Sequence, residues 1–196
     1  IIGPTLPLLG VPMQALYRPL DMRALDRWLR GVRARTGMRL IDKFGALRRL
    51  PAILDSGAIP AFVADQNAGE RGEYVPFFGR LTSSYRSIAA VAQQRDAVLI
   101  CGAVLRGRHG DRPGVDLIHD EATGRRPDRL GYTCTIIDAI RPEDWKGQPD
   151  PSFYITARWR HNLERLVRLA PEQYFWMHRM WKSRPAFEVE RTGFPA

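Results

Sequence analysis

Between Met13 and Leu105, short apolar runs alternate with segments whose apolar residues recur every three or four positions. The runs are Met13 to Tyr17, Met38 to Ile41, Ile59 to Ala64 and Ala97 to Leu105. Their lengths read as strands, and the last, long and valine-bearing, reads as a fully buried one. The segments between them read as helices. Leu25, Trp28, Leu29 and Val32 stand at i, i+3, i+4 and i+7 and predict an inward stripe. Asp21 is placed to cap that helix and Gly37 to stop it. Leu47, Leu50, Ile53 and Leu54 mark a second helix from Gly45 to Ser56, ended by Gly57. Ile88, Val91 and Ala92 mark a third, running to about Gln94, with Ser83 or Ser84 as its cap. This β-α-β-α-β-α-β order predicts an α/β fold: one mainly parallel sheet flanked by helices on both faces.

The remaining chain continues the pattern less regularly. From Arg106 to Arg129 it is polar, with a short strand expected at Val115 to Ile118. Gly131 to Ile140 reads as a strand, and Arg141 to Pro151, with three prolines, as a loop. Ser152 to Ala170 reads as a long helix with Ile155, Trp159, Leu163, Leu166 and Val167 on one side. A short aromatic segment follows Pro171, and the tail from Arg184 is expected to be loosely ordered at its end. The 196 residues suffice for one domain with a real core. Cys101 and Cys134 lie inside apolar runs and form no CxxC pair, so buried free thiols are expected. No metal-ligand spacing is present, and neither metal nor cofactor is expected. No apolar run reaches the ~20 residues of a membrane span.

Charge narrows the partners. The formal net charge is +9, and only Lys43, Lys146 and Lys182 among the 30 basic residues are lysines. Such a balance favours anionic partners: phospholipid head groups, an acidic carrier protein or nucleic acid. A basic nucleic-acid-binding domain is therefore one reading. No nucleic-acid motif supports it, and the arginines are spread over several helices.

Chemistry is concentrated in Val63 to Gly79, VADQNAGERGEYVPFFG. An apolar strand ends at the polar pair Asp65 and Gln66, where open α/β sheets place their ligands. The loop mixes Asn67, Gly69, Glu70, Arg71, Gly72 and Glu73, then closes on Phe77, Phe78 and Gly79. Two readings stand side by side: a site where a charged head group meets an apolar tail, or a β-hairpin loop pinned to the core by two phenylalanines.

ADQNAGERGEYVPFFG with Arg80, Leu81 and Thr82 resembles a block of the lipid A biosynthesis lauroyl/myristoyl acyltransferases, a branch of the glycerolipid and lysophospholipid acyltransferase superfamily. Tyr17-Arg18-Pro19-Leu20-Asp21 resembles an earlier block of that family. Pro171 through His178 and Arg179 to Trp181 and Lys182 resembles its C-terminal signature. Where the family often has a Pro-Val pair before the next strand, this chain has Ala97 and Val98. The resemblance implies a glycerolipid-acyltransferase-like fold. It implies transfer of a fatty acyl group from an acyl carrier protein thioester, or acyl-CoA, to a hydroxyl of a phosphorylated lipid A precursor or related glycolipid. It places the work on an anionic membrane surface, the cytoplasmic face of the inner membrane.

In such enzymes a histidine takes the hydroxyl proton and a carboxylate five positions on supports it. Here the fifth residue after His109, His119, His161 and His178 is Gly114, Gly124, Leu166 and Ser183. The motif is therefore expected upstream of Ile1, and this chain alone is expected to be inactive; an inactive membrane-associated remnant is an alternative. The residues expected to bind substrate are Arg18, Asp65, Gln66, Asn67, Arg71, Phe77 and Phe78. Arg18 suits a phosphate because guanidinium grips two oxygens at once. Asp65 and Gln66 suit sugar hydroxyls or the histidine. Phe77 and Phe78 suit an acyl groove. Each has a plainer alternative: an ion pair for Arg18, a strand-end cap for Asp65, solvation for Arg71, core packing for the phenylalanines.

Overall fold

The computed structural model describes residues 6–108 and 130–185. They fall into two compact units: residues 6–64 with 90–97, and residues 65–89 with 98–108 and 130–185.

The first unit is built on β1 (Met13–Tyr17), α1 (Arg23–Ala34), β2 (Arg39–Asp42), α2 (Ala46–Asp55) and β3 (Ile59–Ala61). The strands form a parallel sheet in the order β2-β1-β3, with Tyr17 opposite Asp42 and Ala15 opposite Ala61. Its core joins Ile41, Ala46, Leu50 and Ile53 to Val91, with Leu16, Leu54, Ala58 and Phe62 packed around them. Leu50 and Ile53, three apart on α2, face the sheet as their spacing requires.

α1 departs from its sequence pattern. Asp21 does not cap it: Met22 holds that position and no side chain caps the helix. Asp26, inside the first turn and 8% exposed, instead accepts the Leu20 N–H at 3.0 Å. That contact draws the Asp26 side of the helix inward. Leu25 and Trp28 lie about a quarter turn or more away from it, so they are 45% and 63% exposed. The expected inward stripe faces out, with only Leu29 half-buried. Gly37 ends the segment as expected, at φ +81° with its N–H on the Ala34 carbonyl at 3.0 Å.

The second unit holds β4 (Glu73–Phe77), β5 (Arg80–Ser84), β6 (Leu99–Arg108), β7 (Leu130–Ile140), α4 (Pro142–Trp145) and α5 (Pro151–Leu169). β4 and β5 form an antiparallel hairpin, and so do β6 and β7. The β4–β5 turn is Phe78-Gly79, both at positive φ, 50° and 75°. That is the backbone a two-residue hairpin turn demands. α5 packs against β4, β6 and β7. Phe77, Val167 and Met180 form the core there, with Phe78, Leu163, Tyr174 and Trp181 against them. α3 (Arg86–Arg95) has its first turn in this unit and the rest in the first.

The expectation of one mainly parallel sheet is corrected. The described strands form three sheets, and only β2-β1-β3 is parallel. Pro60 explains the limit at β3. It sits in an edge strand and has no N–H to offer a fourth one. β3 itself ends at Ala61, short of the expected Ala64. The Ala97–Leu105 run is not a strand buried on both faces: Val98 and Ile100 are 49% and 56% exposed while Leu105 is buried. Its partner is the next strand in the chain, which is the usual neighbour.

Two further local readings change. Ser83 and Ser84 are buried in β5 and cap no helix. The expected loop from Arg141 to Pro151 contains α4, because Pro142 and Pro151 occupy first-turn helix positions, where proline fits without losing a hydrogen bond. Asp150 caps α5 by accepting the Phe153 N–H at 2.9 Å. The strand expected at Val115 to Ile118 and the tail beyond residue 185 lie outside the described residues.

The orientation of α1 is directly testable. Leu50→Ala is expected to destabilise by ~2–5 kcal/mol, and Trp28→Ala by no more than about 0.5 kcal/mol, in urea titrations of the chain. A Trp28→Ala loss as large as that of Leu50→Ala would put the stripe back in the core.

Candidate functional site

The segment from Asp65 to Gly72 enters the β4–β5 hairpin and is tied down along its length. The Ala68 N–H meets the Ser83 carbonyl at 3.1 Å, and Ser83 Oγ donates to the Gly69 carbonyl. Asn67 is engaged at both ends of its carboxamide. Its Nδ2 donates to the Met180 carbonyl at 2.8 Å. Its Oδ1 accepts the Gly69 N–H at 2.8 Å and the Ser183 hydroxyl at 3.1 Å. Thr82 Oγ1 donates to the same Met180 carbonyl at 2.5 Å. The Tyr174 hydroxyl donates to the Asp65 carbonyl at 3.1 Å. Gly72 is required for this close fit: a Cβ there would meet Ser83 Oγ and lie 2.8 Å from the Ser84 carbonyl oxygen.

Beneath the loop lies Arg160, fully buried. Its Nε donates to Ser84 Oγ at 2.9 Å. Its guanidinium lies over the Trp159 ring at 4.6 Å and the Phe77 ring at 5.4 Å. Both terminal nitrogens, and Oδ1 of Asp65, are buried with no hydrogen-bond partner among the described residues. Burial pushes the Arg160 pKa down to about 10, against the opposing pull of Tyr174, Asp65 and Tyr85. It stays charged at neutral pH. Burial, with Asp65 adding to it and Arg160 opposing, holds Tyr174 up at about 12 and raises Tyr85. Both tyrosines are therefore neutral donors across the physiological range.

Phe77 is fully buried and Phe78 half-buried, their rings edge-on at 4.8 Å. The hairpin alternative thus describes Phe77, a core residue. Phe78 sits at the turn, where its N–H donates to Glu164 Oε2 at 2.6 Å. Burial alone would raise the Glu164 pKa. Hydrogen bonds from Arg168 and the Phe78 N–H outweigh it and hold the carboxyl below its ordinary value. Arg168 also covers the Phe78 ring at 4.8 Å. Gln66 and Arg71 are exposed on the loop.

Arg18 belongs to the first unit, exposed at the carboxyl end of β1. The parallel register that pairs Tyr17 with Asp42 puts Lys43 at the same end of the neighbouring strand. The Lys43 N–H donates to the Tyr17 carbonyl at 2.9 Å. Lys43 was not singled out from sequence; only strand pairing brings it beside Arg18.

The C-terminal signature is docked against the rest of the second unit. Gln173 spans the Arg106 backbone, accepting its N–H at 2.8 Å and donating to its carbonyl at 2.5 Å. His178 stands edge-on to Phe175 at 4.7 Å. Glu164, Tyr174 and Ser183 hold the loop or turn directly, and Thr82 holds the Met180 carbonyl to which Asn67 is bound; sequence reasoning assigned none of them that task. Their partners lie up to 116 positions away, beyond any local pattern.

A second polar cluster lies on β7 and α5. Arg158 grips Asp138 with two bonds of 2.8 and 2.9 Å, and Asn162 donates to it at 2.6 Å. The bonds from Arg158, outweighing burial and helped by Asn162, hold the Asp138 pKa at about 2. The nearby Cys101 thiol is pushed by burial up to about 11, so it stays a thiol at neutral pH.

Comparison with known proteins places the chain in a family. Residues 5–183 match the model of the bacterial lipid A biosynthesis acyltransferases. Two relatives come from Escherichia coli K12. A lipid A biosynthesis palmitoleoyltransferase is 28% identical over 180 residues, 90% of this chain and 50% of its own. A lipid A biosynthesis lauroyltransferase is 28% identical over 177 residues, 89% and 50%. A lipid A biosynthesis acyltransferase of Shigella flexneri matches at 28% over 180 residues, with 90% and 50% coverage. The chain belongs to the bacterial lipid A biosynthesis acyltransferase family. It spans about half the length of the relatives it matches.

The Asp138 cluster yields a pH prediction. The folded pKa lies below the ordinary 3.8, so the stabilisation is present above that value and is lost as pH falls toward about 2. Asp138→Asn should reduce stability at neutral pH by ~1.5–3 kcal/mol and flatten the acid limb of stability against pH. An unchanged acid limb would remove Asp138 from that account.

Proposed function

We propose that this chain is the acceptor-binding part of a single acyltransferase domain. The enzyme transfers a fatty acyl group from an acyl carrier protein thioester to a hydroxyl of a lipid A precursor or related glycolipid, at the cytoplasmic face of the inner membrane. The family match across residues 5–183 carries this reading.

In the reaction the acceptor hydroxyl oxygen attacks the thioester carbonyl. A C–O bond forms, the C–S bond breaks, and the hydroxyl proton passes by way of a general base to the departing thiolate. Neither described histidine, His161 or His178, has a carboxylate five positions on, so the base is assigned to residues outside this stretch. The chain's own residues bind and orient. In the first unit, Arg18 and Lys43, at the same end of paired strands, offer a phosphate-binding pair. In the second unit, Asp65 and Gln66 suit sugar hydroxyls, Asn67 holds their loop in place, and Arg71 suits an anionic group. Phe78, backed by Phe77, lines the start of the acyl groove.

The test is calorimetry with a water-soluble phosphorylated glucosamine disaccharide, alongside turnover of an acyl carrier protein thioester. The chain is expected to bind the disaccharide without turning over the thioester. Arg18→Lys keeps the charge but loses the two-pronged grip, and should weaken binding roughly ten- to a hundredfold. Binding unchanged by Arg18→Lys would free Arg18 from the site. Hydroxyl-dependent turnover would reveal a base among these residues.

A further inference from the structure

Among the described residues, the apolar flank of α1 is exposed. Met22, Leu25, Trp28 and Val32 are 66%, 45%, 63% and 38% exposed, and Leu20 just before the helix is 38% exposed. Single exposed apolar side chains are ordinary, but a continuous row of them marks a surface that something covers. The flank is one side of a twelve-residue helix whose other side carries Arg23, Arg27 and Arg30, all exposed, with Arg35 exposed at its end.

The charge of the unit indicates what covers it. Residues 6–64 and 90–97 contain ten arginines and Lys43, against five aspartates and no glutamate. A second copy of the chain would bring two strongly positive faces together, which like-charge repulsion opposes. One flank of so short a helix is also small beside the ~800 Å² per partner of a stable dimer. An anionic surface meets no such opposition. An arginine-rich helix with Trp and Leu on its apolar side has the composition of helices that lie in a membrane interface, the indole at head-group level. At twelve residues the helix is ~18 Å long, suited to lying flat. Among the described residues no helix is long and apolar enough to cross a membrane.

We propose that α1 docks the chain on an anionic phospholipid surface, with Leu25, Trp28 and Val32 entering the head-group region and the surrounding arginines meeting lipid phosphates. This rests on the acyltransferase reading only for its purpose, to bring the loop to an acceptor that is itself an amphiphile.

The experiment floats the purified chain with vesicles of phosphatidylethanolamine and phosphatidylglycerol, and separately with phosphatidylcholine vesicles. The chain should rise with the anionic vesicles and do so less as salt is raised. Leu25→Gln combined with Trp28→Gln should lower the partition coefficient by about tenfold or more. Leu47→Gln, exposed but off this helix, should change it by less than about twofold. Thermal melts of the variants should match the parent, since neither Leu25 nor Trp28 is a core residue. Equal flotation of parent and double variant overturns the proposal, as does a parent chain that stays with the soluble fraction. A dimer seen by light scattering that the double variant dissolves, without vesicle binding, overturns it in favour of a second copy. Disaccharide binding measured on the same variants should be unchanged, so a failure of flotation and a failure of the acceptor site read out separately.

Discussion

One backbone carbonyl, that of Met180, ties the candidate loop to the β4–β5 hairpin. It accepts Asn67 Nδ2 at 2.8 Å and Thr82 Oγ1 at 2.5 Å. The donors come from the loop and from β5, 113 and 98 positions earlier in the chain. A carbonyl has two acceptor sites, and both are engaged here. The carbonyl is largely removed from water by its surroundings, Met180 being 1% exposed, so losing either donor would leave a partly unsatisfied group. Ser183 on Asn67 and Tyr174 on the Asp65 carbonyl extend the same tie. The C-terminal signature therefore has a structural task, which its backbone carbonyl, Tyr174 and Ser183 carry out.

Around this tie the fold tolerates two costly features. Phe78 is an aromatic residue at φ +50°, a conformation that costs roughly 1–2 kcal/mol outside glycine. The Glu164 carboxylate on its N–H and the Arg168 guanidinium over its ring offset that. Arg160 is a charge with no ion-pair partner among the described residues, held by one hydroxyl and two aromatic faces. A cation over desolvated aromatic rings can contribute ~2 kcal/mol each, which goes some way against the penalty of burial. Both features sit directly beside Asp65 and the turn, where strain is most often tolerated for function.

Much of the fold was legible because it is local. β1, Leu50 and Ile53 of α2 and the apolar side of α5 follow from spacing alone, while Leu47 of the same α2 pattern is 54% exposed; the loop was found by its composition. What was not legible depends on partners. The stripe on α1 was read as core because period says which residues share a face, and not which way the face points; the Asp26 contact with Leu20 decides that. The single sheet failed on Pro60, whose missing N–H closes one edge. The prolines read as loop markers begin two helices. Of the site residues, Asp65, Gln66, Asn67, Arg71, Phe77 and Phe78 share one unit, as adjacency in sequence implied. The residues that hold them, Glu164 and Ser183, are ordinary types in ordinary runs, visible only once the chain is folded.

The clamp is best measured by a double-mutant cycle on Asn67→Ala and Thr82→Val, read by urea denaturation. The two donors share one acceptor, so their effects should be non-additive, with a coupling of ~0.5–3 kcal/mol. Effects that add to within about 0.3–0.5 kcal/mol would show that Asn67 and Thr82 act independently, and would contradict the Met180 carbonyl as the point on which the loop is held.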